Sequence, residues 1–289
     1  MIVTVGDLIE DIVVWAEEGF QPDTDTTSRI VRTRGGSAAN VAAMVVVCGG
    51  RSRYVGNVGT DDVGDRLVAS LEREGVEVAG RRGGRTGTLV AIVGVDGERS
   101  FFTDRGASSD LRDADPRWLD GARALHVPAY CFDEEPMATT ATHLVELAHA
   151  RDLVVTVDCS STSLIARFGV GRFTDLLESL HPTAVLANRD EALALGLGEG
   201  APAPGAVTTI VRQGGERTLV VGADGTTTEV PVPPVTRVVD TTGAGDAFAA
   251  GWLVATVAGA APADATIDGH RSAALVLDRA GAAVGGSTP

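Results

Sequence analysis

The sequence predicts an α/β chain built on a mostly parallel sheet, and three observations predict it. Beyond residue 105, short β-branched runs alternate with helical patterns, the signature of βαβ units with right-handed crossovers. The chain is 44% hydrophobic but only 4% aromatic, so its core is aliphatic, which suits buried parallel strands covered by helices. Near the C-terminus, a β-branched run (Val235, Thr236, Val238, Val239) leads into a glycine turn and then a long small-residue stretch, Ala247 to Ala261. That order reads as strand, turn and helix.

The elements follow in sequence. Residues 2–5 form a buried first strand that ends at Gly6-Asp7. Residues 12–33 are polar, β-branched and broken by Pro22, so they predict short strands and loops outside the core. Ser37 is placed to cap a helix over Ala38–Cys48, which Gly49-Gly50 ends. Residues 53–59 predict a strand, and Asp61 or Asp62 starts a helix with Val63, Leu67, Val68 and Leu71 as its apolar stripe. Thr88–Val95 and Arg99–Thr103 flank Asp96-Gly97, a hairpin signal, so 12–33 and 86–104 together predict a small separate sheet. Leu125–Val127, Leu153–Asp158, Ala184–Leu186 and Val207–Arg212 are predicted core strands, with helices at 137–150, 172–180 and 188–196 between them. Residues 198–206 read as a loop and 218–231 as a further β segment, before closing helices at 244–259 and 264–280.

Composition excludes several classes. A formal net charge of −15 argues against nucleic-acid binding, which needs a basic face. It does not argue against ATP, because a glycine turn and a magnesium ion handle phosphate inside an acidic protein. Cys48, Cys131 and Cys159 are far apart and odd in number, as expected of reduced, buried thiols in a cytoplasm. The N-terminus is too short and too soon acidic for a signal peptide, and no apolar run reaches the length of a membrane span.

The chemistry concentrates in 239–249. Gly243 and Gly245 permit a tight turn and leave amides bare, and the opening helix adds unpaired N–H groups and a positive dipole end. Such a place attracts phosphate. Asp246 in the same turn suits a general base in phosphoryl transfer. The same position also suits a helix cap, worth about 0.5–2 kcal/mol. Ligands of open α/β sheets bind beyond the carboxyl ends of strands, and Asp7, Asp11, Asn40, Asn188 and Asp246 all fall at such ends or at facing helix starts. Asn188 and Glu191 have capping-box spacing. The five histidines lack ligand spacing and read as structural.

Asp240-Thr-Thr-Gly-Ala-Gly-Asp246-Ala-Phe resembles, without a gap, the C-terminal motif of the ribokinase-like (PfkB) carbohydrate kinases. Gly35-Gly36-x-x-x-Asn40-x-Ala42 resembles their N-terminal motif, and the Gly56–Gly64 block its usual continuation. The resemblance covers nearly the whole chain. It implies one ribokinase-like domain over 1–289, with a central, mostly parallel sheet, helices on both faces, and a β lid from about 12–33 and 86–104. It implies ATP-dependent phosphorylation of a hydroxyl on a small sugar such as ribose or fructose. Asp246 would be the base and the amides of Gly243, Ala244 and Gly245 the anion hole. Asp11, Gly36, Asn40 and Asp7 would contact substrate. Asn188 and Glu191 match a motif that orders magnesium-bound water. Arg212 and Gly214 fall in a turn along the ATP phosphates. Asp240 and Thr242 match a monovalent-cation site in some members, which makes potassium a candidate activator, with the tail at 281–287 completing the site. Arg105, after the lid hairpin, is a candidate substrate contact, with an acid sugar as one option. The lid's outer face would pair two subunits. A nucleoside kinase of the same family and a non-catalytic sugar- or nucleotide-binding protein are the alternatives. A dinucleotide-dependent oxidoreductase is disfavoured, since Gly243-x-Gly245 lies far from the first strand.

Overall fold

The computed structural model describes residues 1–16, 19–95, 99–198 and 200–277. Its centre is β1 (Ile2–Val5), four residues buried on both faces. β1 pairs in parallel with β4 (Ser52–Val58) on one side and β8 (Ala124–Pro128) on the other. Beyond β4 lies β5 (Glu77–Arg82). Beyond β8 lie β9 (Val154–Asp158), β10 (Ala184–Asn188) and β11 (Thr208–Arg212), all parallel. β12 (Arg217–Gly222) and β13 (Thr227–Pro231) close that edge antiparallel, completing nine strands.

The strands' alternating side chains divide the core. Val3, Val5, Leu125 and Val127 face one way and pack with α3 (Met137–His149), α4 (Thr162–Phe168), α5 (Val170–Leu180) and α6 (Arg189–Ala194). Ile2, Ala124, Ala184 and Ile210 face the other way, against α1 (Ser37–Val47), α7 (Ala244–Val257) and α8 (Pro262–Ala274). α2 (Asp62–Arg73) packs beside α1 through Leu67 and Leu71. Both faces of the sheet's centre are therefore covered, which is why inner strands such as β1 and β10 read as apolar runs. α7 reads Ala-Phe-Ala-Ala-Gly-Trp, and its small residues let it approach its neighbours closely. A Cβ on Gly251 would meet Ser272 Oγ of α8 at 2.1 Å, so only glycine fits there. Trp252, fully buried in the same helix, is worth about 3–5 kcal/mol against alanine.

A second sheet of four strands has the order β3-β2-β6-β7. β2 (Ile9–Ala16) and β6 (Thr86–Val93) pair in parallel at its centre, with β3 (Ser28–Gly35) and β7 (Arg99–Gly106) antiparallel outside them. Its period-two pattern gives one face Ile9, Asp11, Leu89, Phe101, Thr103 and Arg105, all of which line the main cleft. The opposite face carries Ile12, Val14, Ile30, Val90, Ile92 and Phe102, with Ile30 and Phe102 well exposed.

Several expectations change. β2 starts at Ile9 and β3 runs to Gly35, so Asp11 rides on the small sheet and not on the exit turn of β1. β5 and α4 were not foreseen, and Gly169 (φ 88) separates α4 from α5 where one helix was expected. Gly36, not Ser37, is the cap residue of α1. α8 ends at Ala274, short of 280. The Asp96-Gly97 turn and the 281–287 tail lie outside the described residues. No helix among the described residues is long and apolar enough to cross a membrane.

Candidate active site

A cleft of about 1140 Å³ opens at the carboxyl ends of the central strands, beneath the four-stranded sheet. Asp7, Asp11, Gly36, Asn40, Arg105, Asn188, Glu191, Arg212, Gly243, Gly245 and Asp246 all line it. Residues more than two hundred positions apart thus meet in one place. Gly214, Ala244 and Asp240 are not among the residues lining it.

Asp246 occupies the first turn of α7 but does not cap it, because among the described residues no side chain bonds the helix start. Its carboxylate turns instead to α1. Ser37 Oγ donates to Oδ1 at 2.6 Å and Asn40 Nδ2 donates to Oδ2 at 3.0 Å. Ser37 therefore orients an acid and does not cap a helix. Burial pushes Asp246 up to about 6; the two hydrogen bonds oppose that shift. A carboxylate in that range is largely ionised at neutral pH yet basic enough to take a proton.

The turn before it starts at Gly243, whose φ of 77 lies in the left-handed region. The Ala244 amide donates to Thr241 O at 3.1 Å, so it is not bare, contrary to expectation. Among the described residues no hydrogen bond engages the Gly243 or Gly245 amide. The positive helix end and these N–H groups make an anion seat beside Asp246.

Asp11 projects into the cleft from β2, and a Cβ on Gly35 would sit 1.9 Å from its Oδ1. Asp11 Oδ1 and Asn40 Oδ1 are both buried without a hydrogen-bond partner. Burial first, and then the Asp246 charge, push Asp11 up to about 7. Two unmatched acceptors beside a proton acceptor suit a ligand with several hydroxyl donors. Gly36 is required by the chain itself: its φ is 99, and a Cβ would meet Asp7 O at 2.2 Å.

Arg105 is committed within the protein. Its Nε and Nη2 fork onto Asp7 at 3.0 and 2.7 Å, and Nη1 donates to Tyr130 O at 2.9 Å. Both partners are 12% exposed, so the pair is a bidentate bridge from the small sheet to the first strand's exit. Two other cleft arginines are also paired: Arg167 with Asp133, and Arg212 with Asp158 at 3.2 Å. Arg212 Nη1 also donates to Gly245 O at 3.1 Å, bracing the anion seat from below.

Asn188 and Glu191 form the reciprocal capping box: Asn188 Oδ1 accepts from the Glu191 amide at 2.9 Å, and Glu191 Oε2 accepts from the Asn188 amide at 2.8 Å. Glu191 nevertheless lines the cleft near Asp158, and burial, then the Asp158 charge, push it up to about 7. Asp158, at the end of β9, was missed by sequence reasoning. A carboxylate at the exit of a core strand was the available signal. Among the described residues no cluster of three ligands could hold a metal directly. Two crowded carboxylates, Asp158 and Glu191, fit magnesium that keeps much of its own water.

Asp240 has a different neighbour than expected. Its Oδ1 lies 3.1 Å from Arg99 Nη1 of the small sheet, and the same nitrogen donates to Thr242 Oγ1 at 2.5 Å. Thr242 in turn donates to Asp240 Oδ1 at 2.7 Å. A guanidinium thus stands where a monovalent cation was expected.

An anion seat and a buried carboxylate, at the carboxyl ends of a parallel sheet and under a covering sheet, define a phosphotransferase. The chain belongs to the pfkB family of carbohydrate kinases, whose model matches residues 1–288. It is an ATP-dependent kinase of that family, which usually works with magnesium. A fructokinase of Salmonella typhimurium is 30% identical over 256 residues, covering 84% of this chain and 83% of that one. A sugar kinase of Archaeoglobus fulgidus is 31% identical over 245 residues, covering 80% and 93%. Among solved structures, adenosine kinase from Sinorhizobium meliloti has a TM-score of 0.86 at 27% identity, covering 99% and 96% of the two chains. Ribokinase from Thermotoga maritima has 0.80 at 25%, covering 98% and 94%.

Proposed function

We propose that the chain transfers the γ-phosphoryl group of ATP to a hydroxyl of a small neutral sugar, with Asp246 as the general base. The observation that carries this is the turning of Asp246 away from its own helix, onto Ser37 and Asn40, beside bare amides and an unmatched Asp11. The acceptor hydroxyl gives its proton to the Asp246 carboxylate as its oxygen attacks phosphorus, and ADP leaves. The Gly243 and Gly245 amides and the start of α7 hold the phosphoryl oxygens. Asp11 and Asn40 bind and orient the other hydroxyls. Asp158 and Glu191 would hold magnesium through its water, and the ion would neutralise phosphate charge when bound. The four-stranded sheet acts as a lid over one working unit, keeping water from competing as acceptor.

Charge favours a neutral substrate. Eight acidic and three basic side chains line the cleft, and all three arginines are paired with aspartates. An acid sugar would find no uncommitted cation there among the described residues. A nucleoside is the second reading: Phe101 and Tyr130 line the cleft and offer aromatic surface for a base. A panel of sugars and nucleosides, followed by ADP release, decides. Turnover on ribose or fructose supports the first reading; turnover confined to nucleosides supports the second; none at all leaves a binding protein.

Potassium at Asp240 and Thr242 would compete with Arg99, so stimulation by potassium is expected to be larger in Arg99→Ala than in the parent chain. The apolar outer face of the lid, with Ile30 and Phe102 exposed, suits pairing with a second copy. Light scattering of Phe102→Asp against the parent chain tests that. Three free thiols accord with a cytoplasmic protein.

A further inference from the structure

A second cavity, of about 620 Å³, lies between β2, β3 and α2 and shares no lining residue with the cleft. Its lining holds four arginines, Arg32, Arg34, Arg66 and Arg73, against one acid, Glu10. That concentration is out of keeping with a chain of net charge −15. Glu10 is held between two of them, with Arg32 Nη1 at 2.7 Å and Arg66 Nη2 at 3.0 Å. Arg34 Nη1 donates to Glu74 Oε1 at the rim, at 2.6 Å. Arg73 donates from Nε to Ala69 O, and no carboxylate pairs with it among the described residues. Positive charge is therefore left over after the internal pairs are made.

The second observation is Arg34 itself. Its side chain is only 3% exposed, and its Nε is buried without a hydrogen-bond partner. A buried guanidinium N–H is costly to leave unmatched. It lines the cavity beside Arg32 and Arg66, whose side chains are 62% and 61% exposed. Planar guanidinium forks match the oxygens of phosphate in pairs.

We propose that this cavity binds a small phosphate-bearing anion, as an effector distinct from the substrates of the cleft. The site's place in the chain gives it leverage. Glu10 precedes Asp11 on β2, and Arg34 precedes Gly35-Gly36, where β3 enters α1. An anion drawing Arg34, Arg66 and Arg73 together ties β3 to α2, where Arg66 already holds Glu10 of β2, and so steadies Asp11 over the cleft.

The test uses the full chain with a non-hydrolysable magnesium–ATP analogue saturating the cleft, so that its γ-phosphate already fills the anion seat of α7. Melting is followed while potassium phosphate or pyrophosphate is titrated against potassium chloride at matched ionic strength. The proposal predicts a saturable rise in Tm beyond that of chloride, with pyrophosphate acting at the lower concentration. Arg66→Gln with Arg73→Gln should weaken half-saturation about tenfold or more, the size expected for losing charge-assisted bonds. If the double variant melts lower without anion, Arg73→Gln alone replaces it, since among the described residues that guanidinium bonds only a carbonyl of its own helix. A rise no greater than chloride's, or one whose half-saturation both variants keep, overturns the proposal.

Discussion

The starts of α6 and α7 face the same cleft and carry an acid at the same helical position, yet they treat it in opposite ways. At α6 the acid is Glu191, which closes a reciprocal box with Asn188 and satisfies its own helix start. At α7 the acid is Asp246, but the cap residue is Gly243, which has no side chain to reciprocate. The helix start stays bare, and the carboxylate is taken up by Ser37 and Asn40 of another element. One terminus is finished internally and the other is left to bind an anion. What decides is the residue before the first turn: a side chain that caps, or a glycine that turns the chain and exposes its amides.

The largest expected effect breaks the α7 side. Asp246→Asn should lower kcat by about 10²–10⁴-fold with the sugar KM little changed, because general-base assistance is worth that much. Stability should move the other way. The folded pKa of Asp246, about 6, is raised above its ordinary value. The stability linked to that shift is therefore fully present below the unfolded pKa and lost as pH rises through about 6. Asn at 246 removes that loss, so the variant's Tm should exceed the parent's at pH 8 and approach it near pH 4. A lower Tm for the variant at pH 8 would show that the two hydrogen bonds outweigh the buried charge.

Glu191 sharpens the comparison, since its two jobs separate. Gln can still close the box but cannot attract magnesium. Glu191→Gln should match the parent's Tm near pH 4, exceed it at pH 8, and need about tenfold more magnesium for half-maximal rate. Glu191→Ala should show the same magnesium defect and lose about 1 kcal/mol of stability in denaturant melts. Equal magnesium dependence in all three forms would leave α6 a purely structural terminus. Gly243→Ala tests the turn: a left-handed φ at a non-glycine residue costs about 1–3 kcal/mol, and the displaced amides should weaken ATP binding in isothermal titration. The smallest effect belongs to Ser37→Ala. Its hydrogen bond lowers the pKa of Asp246, so its loss should move the acid limb of the rate profile upward, with little change at pH 8.

The sequence made the central sheet legible because parallel strands buried on both faces read as apolar runs, as in Ile2–Val5 and Ala184–Leu186. It hid β5, whose Glu-Val-Ala-Gly-Arg-Arg sits on an edge and needs no apolar pattern. It hid α4, seven residues long and stopped by Gly169, too short to show a period. Motif spacing located Asn40, Glu191 and Asp246, because a helix start is a local property; Asp11 reaches the cleft from β2 of the small sheet and not from the strand exit expected for it. It did not show that Ser37 serves Asp246, that Asp7 holds Arg105, or that Arg99 reaches Asp240. Each of those is a contact between distant segments, fixed by packing of α1 on α7 or by the lid's position over the sheet. Gly36 serves the chain as well as the cleft: it lines the cleft, where a substrate contact was expected, and a Cβ there would meet the Asp7 carbonyl, a contact between distant segments.

The most direct test of Asp246 as base is the pH dependence of kcat/KM for the parent chain, Asp246→Asn and Asp11→Asn on the same sugar. The parent should lose activity as pH falls through about 6, as Asp246 takes up its proton. Asp11→Asn should bind sugar more weakly but keep that limb, while Asp246→Asn should show a low rate without it. If Asp246→Asn kept both the limb and a near-parental rate, the proton would have another acceptor and the account would be wrong.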